Sequence, residues 1–132
     1  MIINFLRFRF RDEVDEPTKA HALSVLRGIA SSESVVFSVI GQDLGDPAAG
    51  YTHSYCIGIP DLAALARYLR EPVHCQGDRF FLPLLAKLSR SASSDDLDPG
   101  LRDRIGALVR QRLEDDPEWA ALLAGIPDVQ LG

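Results

Sequence analysis

The chain has only two cysteines, one methionine and one tryptophan among its 132 residues. Two cysteines, Cys56 and Cys75, cannot build a disulfide framework, which makes a reducing cytoplasm the expected location. Neither a Cys-x-x-Cys nor a His-x-x-x-His pair occurs, and His53 and Cys56 fall on opposite sides of one predicted strand, so no metal centre is expected. No apolar run approaches the roughly 18 residues that span a bilayer. The opening Met1–Phe10 alternates in polarity and contains arginines, unlike the unbroken apolar core of a secretory signal. Gly41-x-x-x-Gly45 lacks the lysine and the helix of a phosphate-binding loop.

A basic surplus is missing as well. The formal net charge is −5, from 14 Lys/Arg against 19 Asp/Glu. Residues 1–94 are balanced at ten of each sign, so the whole excess lies in residues 95–132, with four arginines and nine acids. Arg7, Arg9 and Arg11 form a short basic row, but an acidic chain argues against nucleic acid as a partner. What is present is ordinary globular composition, 46% hydrophobic and 25% charged, at the length of one domain. The charge division predicts a neutral body over 1–94 and an acidic extension over 95–132.

Residues 2–10 alternate, with Ile2, Asn4, Leu6, Phe8 and Phe10 on one face, and read as a strand. Ala20, Leu23, Leu26, Ile29 and Ala30 then recur at helical spacing over 16–31. Val35–Gln42 reads as a second strand and Tyr51–Ile59 as a third. On the third, Tyr51, His53, Tyr55, Ile57 and Ile59 share a face, while Thr52, Ser54, Cys56 and Gly58 make a small-residue face suited to close approach of a second sheet. Asp61 caps a helix that Pro72 ends, and Asp78 is placed to cap another short one. Residues 87–94 are poor strand formers and are expected as an edge strand. In the extension, Asp98-Pro99 starts a helix with the stripe Leu101, Ile105, Leu108, Val109 and Leu113. Its opposite face, with Arg102, Arg110, Arg112, Glu114 and Asp115, reads as solvated. A short helix carrying Trp119 follows Asp116-Pro117. The resulting β-α-β-β-α-β order is that of a ferredoxin-like α+β sandwich with a C-terminal helical extension.

Gly50-Tyr-Thr-His and the element Tyr68-x-x-x-Pro-x-His ahead of Gly77-Asp carry the most chemical information. With Phe10-Arg-Asp-Glu and Gly41-Gln-Asp, they make residues 2 to about 90 resemble the dimeric α/β-barrel, or stress-responsive A/B-barrel (Dabb), family, most of all its plant polyketide cyclases of the olivetolic acid type. The resemblance implies a homodimeric barrel without cofactor. It implies a cavity in which His74 is the general base and Tyr68 stabilises an enolate during aldol-type closure of a poly-β-keto substrate. His53 matches a further pocket histidine. Where such cyclases carry another histidine near the start of the first strand, this chain has Asn4, which cannot shuttle a proton at neutral pH.

Physical chemistry supports the same candidates. A histidine has a reference pKa near 6.5, well placed for proton abstraction, and a neutral tyrosine hydroxyl is a suitable donor to a developing oxyanion. A pocket between sheet and helices, lined by Asn4, Leu6, Phe8, Tyr51, His53, Tyr55, Tyr68 and His74, would be mostly apolar with few polar groups. The competing reading of His74 is plainer: after a helix break it caps backbone carbonyls. Two further function classes stay open, a non-catalytic stress-responsive barrel and, by fold analogy, a cofactor-independent monooxygenase. The extension is expected to pack on its own barrel or on a dimer partner, since an isolated amphipathic helix of this length is marginal in water.

Overall fold

The computed structural model describes Met1–Gly132. The elements are β1 (Ile2–Phe10), α1 (Glu16–Ala30), β2 (Phe37–Gln42), β3 (His53–Ile59), α2 (Leu62–Arg70), α3 (Pro72–Phe81), β4 (Leu85–Ser94), α4 (Leu101–Asp115), α5 (Pro117–Ala124) and β5 (Asp128–Leu131). Short 3-10 turns occupy Pro47–Ala49 and Leu82–Leu84. The strands form one sheet in the order β2-β3-β1-β4-β5. Its first four members are antiparallel neighbours, the ferredoxin-like arrangement, and β5 is added parallel to β4.

The period-two pattern of β1 sorts its residues as the sequence predicts. Ile2, Phe8 and Phe10 are buried with Tyr55, Ile57 and Ile59 of β3 and Leu85 and Leu88 of β4 on the face covered by helices. Leu26 and Ile29 of α1, Leu65 and Tyr68 of α2, and Phe81 of α3 complete that core. Asp15 starts α1 by accepting the Thr18 N–H at 2.8 Å, and Asp61 starts α2 by accepting that of Ala64 at 2.8 Å.

The opposite sheet face has no helix on it. Phe37 and Val39 stand there 44% and 66% exposed. The small-residue face of β3 lies on this side, but Gly58 is covered by the Phe37 ring of the adjacent strand, which occupies the space a Cβ would need. The close approach predicted for this face is therefore made, at Gly58, by the chain's own phenylalanine.

Several expectations are corrected. Residues 87–94 of β4 are an edge only in their second half: β5 pairs with Lys87–Arg90, while Ser91–Ser94 pair with β1 alone. Pairing on both sides outweighs weak intrinsic propensity. The strand that covers it, Asp128–Leu131, is too short for a periodicity signal, and the parallel crossover that it needs is supplied by α4 and α5. Pro72 does not merely end α2 but opens α3 at its first turn, with Glu71 closing one helix and preceding the next. Asp78 is not a cap; it lies inside α3, 7% exposed. Arg112 does not face solvent; it is 5% exposed. The stripe of α4 rests on its own chain, α4 against α2 and α5 against α3.

Gly77 lets α3 lie close on α1. A Cβ there would come within 2.5 Å of Ile29 Cδ1 and 3.2 Å of Val25 Cγ1, and Ile29 is fully enclosed. Gly77→Ala is expected to lower unfolding free energy by about 1–3 kcal/mol through overpacking, in spite of the better helix propensity of alanine. Urea denaturation checks this, and a neutral or stabilising result would show that α1 and α3 can separate at little cost.

Candidate functional site

Four segments converge between the sheet and the helices. Tyr55 projects from β3 and Tyr68 from α2, and their hydroxyls share a hydrogen bond of 2.8 Å. One hydroxyl donates to the other, so the accepting hydroxyl keeps its own proton to donate elsewhere. Burial pushes both phenols above the ordinary tyrosine range, so both remain neutral donors at physiological pH.

The break between α2 and α3 places His74 beside Tyr68. Glu71 is fixed there by the hydroxyl of Ser34, a fully buried residue, which donates to its Oε1 at 2.8 Å. The chain then turns so that the His74 ring stacks at a tilt on Tyr68, centroids 4.2 Å apart. His74 Nδ1 lies 2.9 Å from the Tyr68 carbonyl oxygen. A carbonyl only accepts, so Nδ1 carries a proton and donates it. The capping role that sequence reasoning held as the plainer alternative is thus observed, alongside the predicted proximity to Tyr68.

The other ring nitrogen meets the extension. Asp78, one helical turn along α3, sets Oδ2 at 3.2 Å from His74 Nε2. The same oxygen accepts from Arg112 Nη2 of α4 at 3.0 Å and from Trp119 Nε1 of α5 at 2.9 Å. The Arg112 guanidinium lies over the Trp119 ring at 3.9 Å, and its Nη1 is 3.5 Å from His74 Nε2. Burial works against the Asp78 carboxylate most strongly, but His74 and Arg112 together hold its pKa below the usual carboxylate range. In consequence His74 Nε2 has a partner in either protonation state: charged, it donates to Asp78, and neutral, it accepts from Arg112.

These groups border a cavity of about 90 Å³ with 14 hydrophobic residues among its 19 lining residues. Of the residues singled out from the sequence, Asn4, Leu6, Tyr55, Tyr68 and His74 come together on its wall. Phe8, His53 and Tyr51 do not. Phe8 is fully buried core. His53 lies at the end of β3, stacked on Phe8 at 5.7 Å and edge-on to Phe10, with partial burial lowering its pKa. Tyr51 precedes β3 and sits under Arg7 and Lys87 at 4.4 and 4.7 Å. The predicted strand face had assumed regular alternation through residues 51 and 52.

Sequence reasoning missed Asp78, Arg90, Arg112 and Trp119. Two of them had a signal. His74 and Asp78 are four residues apart, the spacing of neighbours on a helix face. Arg112 continues the stripe of Ile105, Leu108 and Val109, lying four residues after Leu108 and three after Val109, and was assigned outward only because it is charged.

No protein-family model matches the chain, and no curated protein does. Solved structures do match in fold. A hydroxynitrile lyase from Passiflora edulis superposes with a TM-score of 0.66 at 16% identity, covering 74% of this chain and 94% of that one. A Dabb-family protein with a ferredoxin-like fold from Mesorhizobium loti gives 0.65 at 16%, covering 72% and 96%. A dimeric ferredoxin-like protein of unknown function from Thermobifida fusca gives 0.63 at 20%, covering 70% and 89%. The chain therefore has the ferredoxin-like fold of these proteins, and none of them singles out polyketide cyclisation.

Asp78 makes a specific acid-stability prediction. Its folded pKa lies below the unfolded value of about 3.9, so its contribution is fully present above that pH and is lost as pH falls through the folded value. Asp78→Asn should cost about 3–5 kcal/mol at pH 7, because Arg112 stays buried without its counter-charge. The difference between the variant and the wild type should shrink below about pH 4. Urea unfolding at pH 7 and pH 3 measures both, and an equal gap at the two pH values would contradict the assignment.

Proposed function

We propose that the chain is a cofactor-free small-molecule enzyme whose acid–base chemistry takes place in the cavity between sheet and helices. The observation that carries this reading is the convergence of the Tyr55–Tyr68 hydroxyl pair and the His74 ring on one apolar cavity. The free proton of the hydroxyl pair donates to a carbonyl oxygen as negative charge develops there. His74, fixed by its Nδ1–H on the Tyr68 carbonyl, gains or loses its proton at Nε2 with Asp78 and Arg112 serving the two states in turn.

In an aldol-type closure, the hydrogen on a carbon next to a carbonyl passes to His74 Nε2. The electron pair moves into the carbonyl, whose oxygen is held by tyrosine. The enolate carbon then bonds to a second carbonyl carbon as that carbonyl's π pair moves to its oxygen, which takes the proton back from His74 Nε2. That the Passiflora edulis neighbour is a hydroxynitrile lyase supports a small-molecule enzyme as the reading. A cavity of about 90 Å³ takes only the reacting end of a poly-β-keto chain. The remainder would lie in the larger groove between β4 and α4, which shares Arg90, Val109 and Leu131 with the cavity. We further propose homodimerisation through the uncovered sheet face, supported by the exposure of Phe37 and Val39 and by the dimeric Thermobifida fusca neighbour. The body over residues 1–94 would be the catalytic unit and residues 95–132 its buttress.

One observation favours the second reading, a non-catalytic barrel: both His74 nitrogens already have protein partners. Exchange of the α-hydrogens of butanone in deuterated water, followed by proton NMR, separates the two without knowledge of the natural substrate. The wild type should accelerate exchange. Tyr68→Phe and His74→Ala, each with an intact circular dichroism spectrum, should lose on the order of a hundredfold. Wild-type exchange no faster than buffer, or undiminished exchange in both variants, would favour the non-catalytic barrel.

A further inference from the structure

Arg90 is a cation without an anion. It projects from β4 toward the helices, opposite Leu6 of β1 and Leu131 of β5, and lines both the cavity and the groove between β4 and α4. Its Nε donates to Asn4 Oδ1 at 3.0 Å, and no carboxylate forms an ion pair with it. Partial burial lowers its pKa. A half-buried guanidinium whose one side-chain partner is a neutral amide keeps most of its N–H donors for an incoming anion.

The surrounding polar groups are biased in the same direction. Asn4 Oδ1 accepts from Arg90, which leaves its amide NH2 group free as a donor. The Arg112 Nε–H is buried with no acceptor. The tyrosine pair offers one spare proton. Asp78 is the only carboxylate on the cavity wall, and its Oδ2 already accepts from Arg112 and Trp119, and from His74 when that ring is charged. Positive charge on the wall, Arg90 and Arg112 against Asp78, exceeds negative inside a chain whose net charge is −5.

We propose that Arg90 anchors the carboxylate of a small, otherwise apolar acid, whose carbon chain occupies the cavity below Tyr55 and Tyr68. This rests on the cavity being a ligand site and adds the charge class of what enters it. A guanidinium fork matches a planar carboxylate with two parallel hydrogen bonds. The outer groove favours a monoanion over phosphate: Asp96, Asp98 and Asp103 line it against Arg102, with Asp98 paired to Arg104, so it offers no surplus of positive charge beyond Arg90 for a doubly charged ion. The position of Arg90, at the junction of cavity and groove, sets the carboxylate at the mouth and the apolar end inward.

Nitrogen-15 NMR titration of the full chain with butanoate, 1-butanol and inorganic phosphate tests this. Butanoate should bind at least about tenfold more tightly than 1-butanol, and Arg90→Met should remove that preference. If that variant fails to fold, the wild-type comparison of butanoate with 1-butanol still decides. Binding of 1-butanol with no preference for butanoate overturns the anion assignment and leaves the cavity reading intact. Phosphate binding more tightly than butanoate overturns the carboxylate assignment. Binding of none of the three overturns the ligand site itself along with the proposal.

Discussion

One carboxylate oxygen holds the candidate site together. Asp78 Oδ2 receives the Arg112 guanidinium and the Trp119 indole from the extension, and it faces His74 Nε2 from its own helix. Two donors around one buried acceptor, joined by His74 when its ring is charged, offset a desolvation cost that a lone ion pair would not. Remove the charge, and a guanidinium and an imidazole are left in an apolar interior. The same interaction ties sequence segments more than thirty residues apart, so the extension is built into the site rather than appended to it.

That coupling bears on how fold and function relate here. The neighbours share the ferredoxin-like core at 16–20% identity, a level that speaks for architecture alone. The chemistry has to be argued from the side chains, and those of this chain include Arg112 and Trp119, delivered by α4 and α5. The structural neighbours cover about three quarters of the chain. The acid-rich last segment contributes a buried cation to the site, so net charge by segment gave the wrong sign for what it places inside.

Legibility followed the strength of local pattern. β1, α1 and α2 could be read because alternation, helical spacing and caps at Asp15 and Asp61 all agree. The pairing of Tyr68 with His74 was read from the motif around Pro72, and the structure sets the rings 4.2 Å apart. β4 was read as a strand but placed wholly at the edge, and β5 was missed, because a four-residue strand stands only through pairing with β4, information that is not local. Arg112 and Asp78 were assigned to surface and cap by the rule that charges stay outside, which fails where two of them bury each other. Tyr51 was drawn into the pocket by extending a strand two residues past its true start, and His53, on the expected face, packs on Phe8 and Phe10 away from the cavity.

The central claim is that His74 is held with its Nδ1 proton on the Tyr68 carbonyl, which leaves Nε2 as the site of proton exchange beside Asp78 and Arg112. Long-range nitrogen–proton correlation NMR of the imidazole reads this directly. Neutral His74 is expected to carry its proton on Nδ1, with Nε2 bare. A neutral His74 carrying its proton on Nε2 with Nδ1 bare would contradict it.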